Sequence, residues 1–296
     1  MILLIELKII YNSTMNDEEI KGIQASENNL VTKPKKKIHR NTIIRSIGII
    51  LIMIAAALYG YDYYLTFVNQ QDLNEVIELM EVRDEIRDRL IEDNPDLEFE
   101  EIDRLSLAQL HQQFTEVNSD YVGWIIIPGT KINYPFVLGE DNTFYLTHNF
   151  QKRPLKHGAI FMDYRNKADF SDRHIVLYGH AMRDQSMFGS INQYKNRSFY
   201  ENHSLIEIRL KNETRIYKIF SAYQVDASIT RLNIPANDRN INSLIELFRS
   251  RSIFETNTDF RNVDHILTLV SCTDDVSNGR IIVHAILQST NANPRN

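Results

Sequence analysis

Cys272 is the sole cysteine among 296 residues, and it ends an apolar run, Ile266-Leu267-Thr268-Leu269-Val270-Ser271-Cys272. Arg280 follows at the head of a second run, Ile281-Ile282-Val283-His284-Ala285-Ile286-Leu287. His180 closes a third, His174-Ile175-Val176-Leu177-Tyr178, with Gly179 between the run and the imidazole. A thiol, an imidazole and a guanidinium at the ends of three β-runs can face one pocket. Most of an ordinary thiol is protonated at neutral pH, and only the thiolate is a strong nucleophile. Arg280 and a protonated His180 can each favour the anion. Once an acyl group sits on sulfur, the imidazolium can protonate a departing amine, and Arg280 can donate to the developing oxyanion.

Other chemistries fit less well. A lone cysteine is more often a small buried apolar residue than a nucleophile, and it needs a histidine partner elsewhere in the chain. Of nine histidines, only His180 has a strand-end setting after a glycine. His174, His265 and His284 fall inside β-runs, where packing or surface roles are expected, and His39, His111, His148, His157 and His203 have no comparable setting. One cysteine and scattered histidines supply none of the paired spacings that zinc sites use, so no metal is expected. No glycine-rich phosphate loop is present, and no cofactor is expected. The papain-like order, cysteine before histidine, is reversed here. A net charge of -6 and the absence of a basic, aromatic-interleaved stripe after residue 70 argue against nucleic acid. No intrachain disulfide can form, yet a domain of this size is stable without one, so a place outside the cytoplasm stays open.

The elements that must carry these residues are short β-runs after Tyr121: 124–127, 134–138, 159–162, 174–178, 205–210, 215–225, 265–270 and 281–287. Pro128-Gly129, Gly139-Glu140-Asp141-Asn142 and Lys211-Asn212-Glu213 supply turns. Eight runs without a βαβ rhythm point to a mainly β fold, a closed or nearly closed barrel. One helix interrupts it between the sixth and seventh runs, expected to be capped by Asn237-Asp238 and to carry Ile241, Leu244, Ile245 and Phe248. Ahead of the barrel, Leu73, Val76, Ile77, Met80, Ile86 and Leu90 recur at helical spacing over 70–92, and a second helix is expected over 102–114. Packing against the domain is the expected use of this pair, with a coiled-coil partner as the alternative.

Residues 46–61 carry no charge, and 43–67 approach the ~20 apolar residues that a membrane span needs. Lys33, Lys35, Lys36, Lys37, Arg40 and Arg45 precede the span without an acid among them, which keeps the amino terminus in the cytoplasm and the rest outside. A signal peptide cleaved near Ala55-Ala56-Ala57 is the competing reading; the aromatic extension through Phe67 favours an uncleaved anchor. The expected organisation is a basic cytoplasmic tail, 1–42, of which 1–14 reads as an upstream extension before Met15. A signal-anchor over 43–67, a helical stalk over 68–120, a catalytic barrel over 121–290 and a tail over 291–296 complete it.

Thr268-Leu269-Val270-Ser271-Cys272 resembles the sortase active-site pentad, and Arg280-Ile281-Ile282-Val283 the arginine strand after it. Gly123-Trp124-Ile125 through Pro135, Asp141–Leu146 through Phe150, Ile160–Asn166 and Tyr178-Gly179-His180 through Gly189 resemble class B members, as does the helix near 237–251. The resemblance covers roughly residues 70 to 288. It implies a closed eight-stranded barrel with N-terminal helices and one helix between strands six and seven. It also implies a membrane-anchored cysteine transpeptidase of Gram-positive cells. Such an enzyme cleaves a carboxyl-terminal sorting signal of secreted proteins after threonine, holds the acyl group as a thioester, and passes it to an amine of peptidoglycan or its lipid-linked precursor. The resemblance implies Cys272 as nucleophile, His180 as general acid/base and Arg280 as substrate and oxyanion donor. Asn142, Leu146, Thr230 and Ser271 match positions lining the class B substrate groove.

Class B signals are often similar to Asn-Pro-Gln-Thr-Asn, and the cargo often serves haem acquisition. Three features depart from the pattern: Ser271 where threonine is commoner, Ala181 where asparagine is usual, and a short connection from Cys272 to Arg280. A pilin-polymerising enzyme and a non-catalytic barrel that binds sorting motifs are the alternatives.

Overall fold

The computed structural model describes residues 40–226, 240–273 and 279–290. Eight strands form the barrel: β1 (Tyr121–Ile126), β2 (Asn133–Leu138), β3 (Ile160–Met162), β4 (His174–Tyr178), β5 (Leu205–Arg209), β6 (Thr214–Asp226), β7 (Ile266–Thr273) and β8 (Gly279–Thr290). They close in the order β1-β2-β3-β4-β7-β8-β6-β5, which bears out the mainly β, closed-barrel expectation. Two pairs, β2·β3 and β4·β7, run parallel, a feature the spacing of the runs does not reveal.

The strand sequences explain their two faces. Leu267 and Leu269 of β7 and Ile281, Val283 and Ala285 of β8 enter the barrel core with Ile125, Phe136, Ile175, Leu177, Ile208, Tyr217 and Ile219. The alternate residues Ile266 and Ile286 face a second cluster instead, with Phe220 and Phe248. Both faces of β7 and β8 are therefore covered. That is why these runs are almost continuously apolar rather than alternating.

The cover on the outer face is the inserted helix. Of the four helices among the described residues, α1 (Arg40–Asp93), α2 (Phe99–Val117), α3 (Arg197–Asn202) and α4 (Ile241–Arg251), α4 lies between β6 and β7. It buries Ile241, Leu244, Ile245 and Phe248, one stripe at helical spacing. Its cap is Asn240, whose Oδ1 accepts from the Ser243 amide at 3.1 Å. The cap is thus later than Asn237-Asp238, which lie outside the described residues. Arg249 and Arg251 occupy the last turn, where cations suit the helix dipole. α2 packs Phe114 on Trp124, ring centroids 5.3 Å apart. The chain divides into two compact units, residues 1–61 and 62–296. In α1, Asn41–Val68 form a 28-residue stretch whose most apolar 18-residue window has a mean hydropathy of 2.2, long and apolar enough to cross a membrane.

Beneath α4 a polar line crosses the otherwise apolar packing. His174 Nε2 lies 2.8 Å from Thr268 Oγ1, that oxygen 2.7 Å from His284 Nδ1, and His284 Nε2 3.0 Å from the Tyr223 hydroxyl. The His284 ring stacks on Phe248 with centroids 3.6 Å apart. Burial, with smaller contributions from His174 and Arg251, holds His284 well below the usual histidine range. It is therefore neutral in the folded protein near pH 7. The sequence expectation of packed histidines inside strands holds for His174 and His284, both buried.

Candidate active site

The parallel register of β4 and β7 runs from His174↔Ile266 to Tyr178↔Val270, so both strands end at one rim of the barrel. The antiparallel β7·β8 ladder pairs Ser271 with Ile281 and Cys272 with Arg280. Cys272 is thus inside β7, which continues to Thr273, and Arg280 is inside β8. The sequence runs end these strands one or more residues too early, because Ser, Cys, Thr and Gly lack the apolar signature of the preceding residues. Val225 of β6 pairs with Arg280 on its other side.

Two bonds carry the β4·β7 pairing past the end of β4. The Gly179 amide donates to Val270 O at 3.2 Å, and the buried Ser271 hydroxyl donates to Gly179 O at 2.8 Å. His180 and Cys272 are the next residues on the two chains. Gly179 is required here because a Cβ would come within 2.8 Å of the buried Phe188 ring. After His180 the chain folds back on itself. Phe188 donates its amide to His180 O at 2.9 Å, and Ala181 bridges to Met187. Asp184 accepts from the Ser186 amide and hydroxyl, and Lys131 Nζ donates to Asp184 O at 2.7 Å.

His180 is partly exposed, and its Nε2 stands 2.9 Å from the carbonyl of Leu146. A carbonyl only accepts, so Nε2 carries the hydrogen, and in the neutral ring Nδ1 is the basic nitrogen. Leu146 ends a 3-10 turn, Phe144–Leu146, which is built from both sides. At its start, Asp141 Oδ1 accepts from the Thr143 and Phe144 amides, each at 2.8 Å, and these bonds lower the carboxyl below its usual range. At its end, the Ala159 amide donates to Tyr145 O at 2.9 Å, and Gly158, at φ 59°, lets that backbone approach. A Cβ on Gly158 would lie 2.2 Å from Tyr145 O.

Of the residues expected at the site, Cys272 and Arg280 are cross-strand partners, and His180 adjoins them through Gly179 and Ser271. Arg280 is half-buried, and its Nη1 donates to Gly279 O at 2.9 Å. Leu146 meets His180 through its carbonyl, and its side chain is exposed. Asn142 sits just ahead of the turn, where Nδ2 donates to Asp163 Oδ2 at 3.1 Å and Oδ1 accepts from the Tyr164 amide at 3.0 Å. Ser271 is 2% exposed, with its hydroxyl on Gly179 O. Thr230 lies outside the described residues. Among the described residues, no three His, Cys, Asp or Glu side chains form a metal-ligand group.

Residue types and spacing alone do not single out Asp163, which is buried beside Tyr178 and Arg165. Burial by itself would raise its carboxyl. The Arg165 side chain and amide, then the Tyr178 hydroxyl, outweigh that and leave it below its usual range. The signal for this group is the run Asp163-Tyr164-Arg165-Asn166 just after an apolar run, a turn whose acid has its cation two residues on.

Comparison with known proteins bears on the family and the fold. The sortase domain family matches residues 125–288. Sortase B of Staphylococcus aureus is 27% identical over 239 residues, 80% of this chain and 93% of that protein. The crystal structure of Clostridium perfringens sortase B superposes with a TM-score of 0.56 at 33% identity, over 60% of this chain and 99% of that one. A Staphylococcus aureus sortase B–substrate complex gives a TM-score of 0.60 at 26% identity, over 74% of this chain and 96% of that one.

Proposed function

Because this chain belongs to the sortase family, and within it to the class B transpeptidases, we propose that Cys272, His180 and Arg280 act together in transpeptidation. The Cys272 thiolate attacks the carbonyl carbon of the threonine in a sorting signal, and the oxyanion forms within reach of Arg280. Collapse breaks the C–N bond. His180 gives its Nδ1 proton to the leaving amine, and an acyl thioester remains on sulfur. An incoming amine then attacks the thioester, Nδ1 takes its proton, and the thiolate leaves as the new amide forms. Leu146 O holds Nε2–H throughout, so one ring nitrogen is anchored and the other exchanges the proton. In this reading Asn142, Leu146, Thr230 and Ser271 border the substrate groove, and the acceptor amine comes from peptidoglycan or its lipid-linked precursor.

The observation that supports this most is the shared register. Cys272 pairs with Arg280, and Ser271 with its amide neighbours ties down the peptide before His180. The apolar segment Asn41–Val68 supports placement on a membrane. At 1.5 Å per residue that segment is about 42 Å long, more than a ~30 Å hydrocarbon core. The basic residues before it favour a reading with the amino terminus in the cytoplasm and the barrel outside.

The test uses the full chain in detergent micelles and a quenched-fluorescent peptide containing Asn-Pro-Gln-Thr-Asn. Cleavage after threonine, with an acyl adduct on Cys272 by mass spectrometry, supports the reading. Cleavage that persists unchanged in Cys272→Ala sinks it.

A further inference from the structure

Asp163 is 1% exposed and receives five hydrogen bonds. Oδ1 accepts from the Arg165 amide at 3.0 Å and from Arg165 Nε at 2.8 Å. Oδ2 accepts from Arg165 Nη2 at 2.7 Å, the Tyr178 hydroxyl at 2.9 Å and Asn142 Nδ2 at 3.1 Å. An ionised carboxylate offers about four lone-pair sites. Its acceptor capacity is filled, so Asp163 has none left for a substrate proton. Arg165 alone would satisfy its charge. The two further bonds reach the elements on either side of the site: Tyr178, two residues before His180 on β4, and Asn142, ahead of the turn whose Leu146 carbonyl holds His180 Nε2.

Those bonds settle which way the Asn142 amide points. Tyr164 N–H only donates, so the atom facing it is Oδ1; the carboxylate only accepts, so the atom facing it is Nδ2. One N–H and one lone pair of the amide are left over after these two bonds. A donor and an acceptor side by side, in a fixed orientation, match one amide group of an extended peptide, either main chain or an Asn or Gln side chain.

We propose that Asp163 is a positioning residue: it holds the Asn142 amide in register to read one amide of the sorting signal and ties that contact to Tyr178, at the end of the strand that leads into His180. The inference rests on the sortase reading above and on Asn142 meeting the substrate.

The test measures peptide affinity separately from chemistry. In the full chain carrying Cys272→Ala, Kd for the Asn-Pro-Gln-Thr-Asn peptide is read by fluorescence anisotropy. Asn142→Ala raises Kd about five- to tenfold, the loss expected of one well-placed hydrogen bond. Asp163→Asn raises it to a similar degree, and the double variant is no weaker than the weaker single one, because the two residues act as a unit. Equal affinity for Asp163→Asn and its parent, or penalties that add, overturns the proposal.

Asn142→Asp decides the matter even if Asp163→Asn does not fold. It sets a second carboxylate against Asp163, with Asp141 nearby and Arg165 and Tyr178 already committed. Its Kd therefore exceeds that of Asn142→Ala at pH 7.5, and the two converge as pH falls towards 5. Identical values for the two variants across that range overturn the proposal. A parent chain that cleaves no peptide of a sorting-signal library overturns the functional reading, and this inference with it.

Discussion

The hydroxyl of Ser271 donates to the carbonyl of Gly179 at 2.8 Å, across 92 residues of sequence. Each of these residues immediately precedes a member of the proposed catalytic set. One buried hydrogen bond therefore links the strand of the nucleophile to the segment that carries the acid/base just past β4. Removing it leaves the Gly179 carbonyl without the Ser271 donor, while the Gly179 amide still donates to Val270 O.

Ser271→Ala is expected to lower kcat for peptide cleavage about tenfold with KM little changed, and Ser271→Thr is expected to restore most of it. The same change destabilises the fold by ~1–3 kcal/mol, because a buried acceptor loses its donor. For a domain of this size that is a Tm decrease of a few degrees, at roughly 2–4 °C per kcal/mol. Steady-state kinetics on both variants, with differential scanning fluorimetry, checks the pair of outcomes.

Arg280→Ala is expected to cost ~10²–10³ in kcat, the loss seen when one oxyanion donor is removed. Arg280→Lys keeps the charge but not the planar fork of donors, so it should recover only a minor part. Acyl-enzyme accumulation, read by quenched-flow mass spectrometry, should be slowed in both.

Gly158→Ala should damage the site from a distance. Its φ of 59° already disfavours a side chain, and the new methyl would lie 2.2 Å from Tyr145 O, so the turn that offers Leu146 O to His180 must move. We expect kcat to fall at least tenfold as Nε2 loses its acceptor. An unchanged kcat would separate Leu146 from His180 function.

Stability should decline on mild acidification, and His284 sets the sign. Its folded pKa is depressed by burial, so the unfolded chain binds a proton that the folded chain refuses. The contribution is complete above the unfolded value of about 6.5 and is lost as pH falls below it, at about 1.4 kcal/mol per pH unit per proton. His111, His157 and His265, also lowered by burial, act in the same direction. Asp163, likewise depressed, loses its contribution only below about pH 4. Urea melts between pH 7.5 and 5 should show the slope, and His284→Gln should flatten it.

Much of this arrangement is legible in the residues. The apolar runs ending at Tyr178 and Val270 and the one beginning at Ile281 are the site-bearing strands, and the helical stripe Ile241, Leu244, Ile245 and Phe248 marks the inserted helix. What is not legible depends on partners remote in the chain. Nothing in 174–178 or 266–270 announces that they pair in parallel. The strand boundaries at Cys272 and Arg280 are set by each other, because Ser, Cys and Gly have weak strand preference and extend the ladder only through cross-strand bonding. Asn142 shows the same limit: its type fits a groove residue, but its orientation comes from Asp163 and Tyr164, about twenty residues away.

The parallel pairing of β4 with β7 also bears on when the protein becomes reactive. The two strands are separated in sequence by β5, β6 and the inserted helix, and a parallel pair cannot form as a local hairpin. Contacts between such distant segments carry a large loop-closure cost and form late in folding. A chain still emerging and incomplete therefore has a histidine without its thiol, and then a thiol not yet set beside it. On the proposed reading, the thiol and the imidazole come together only with barrel closure, so reactivity arrives with the folded domain.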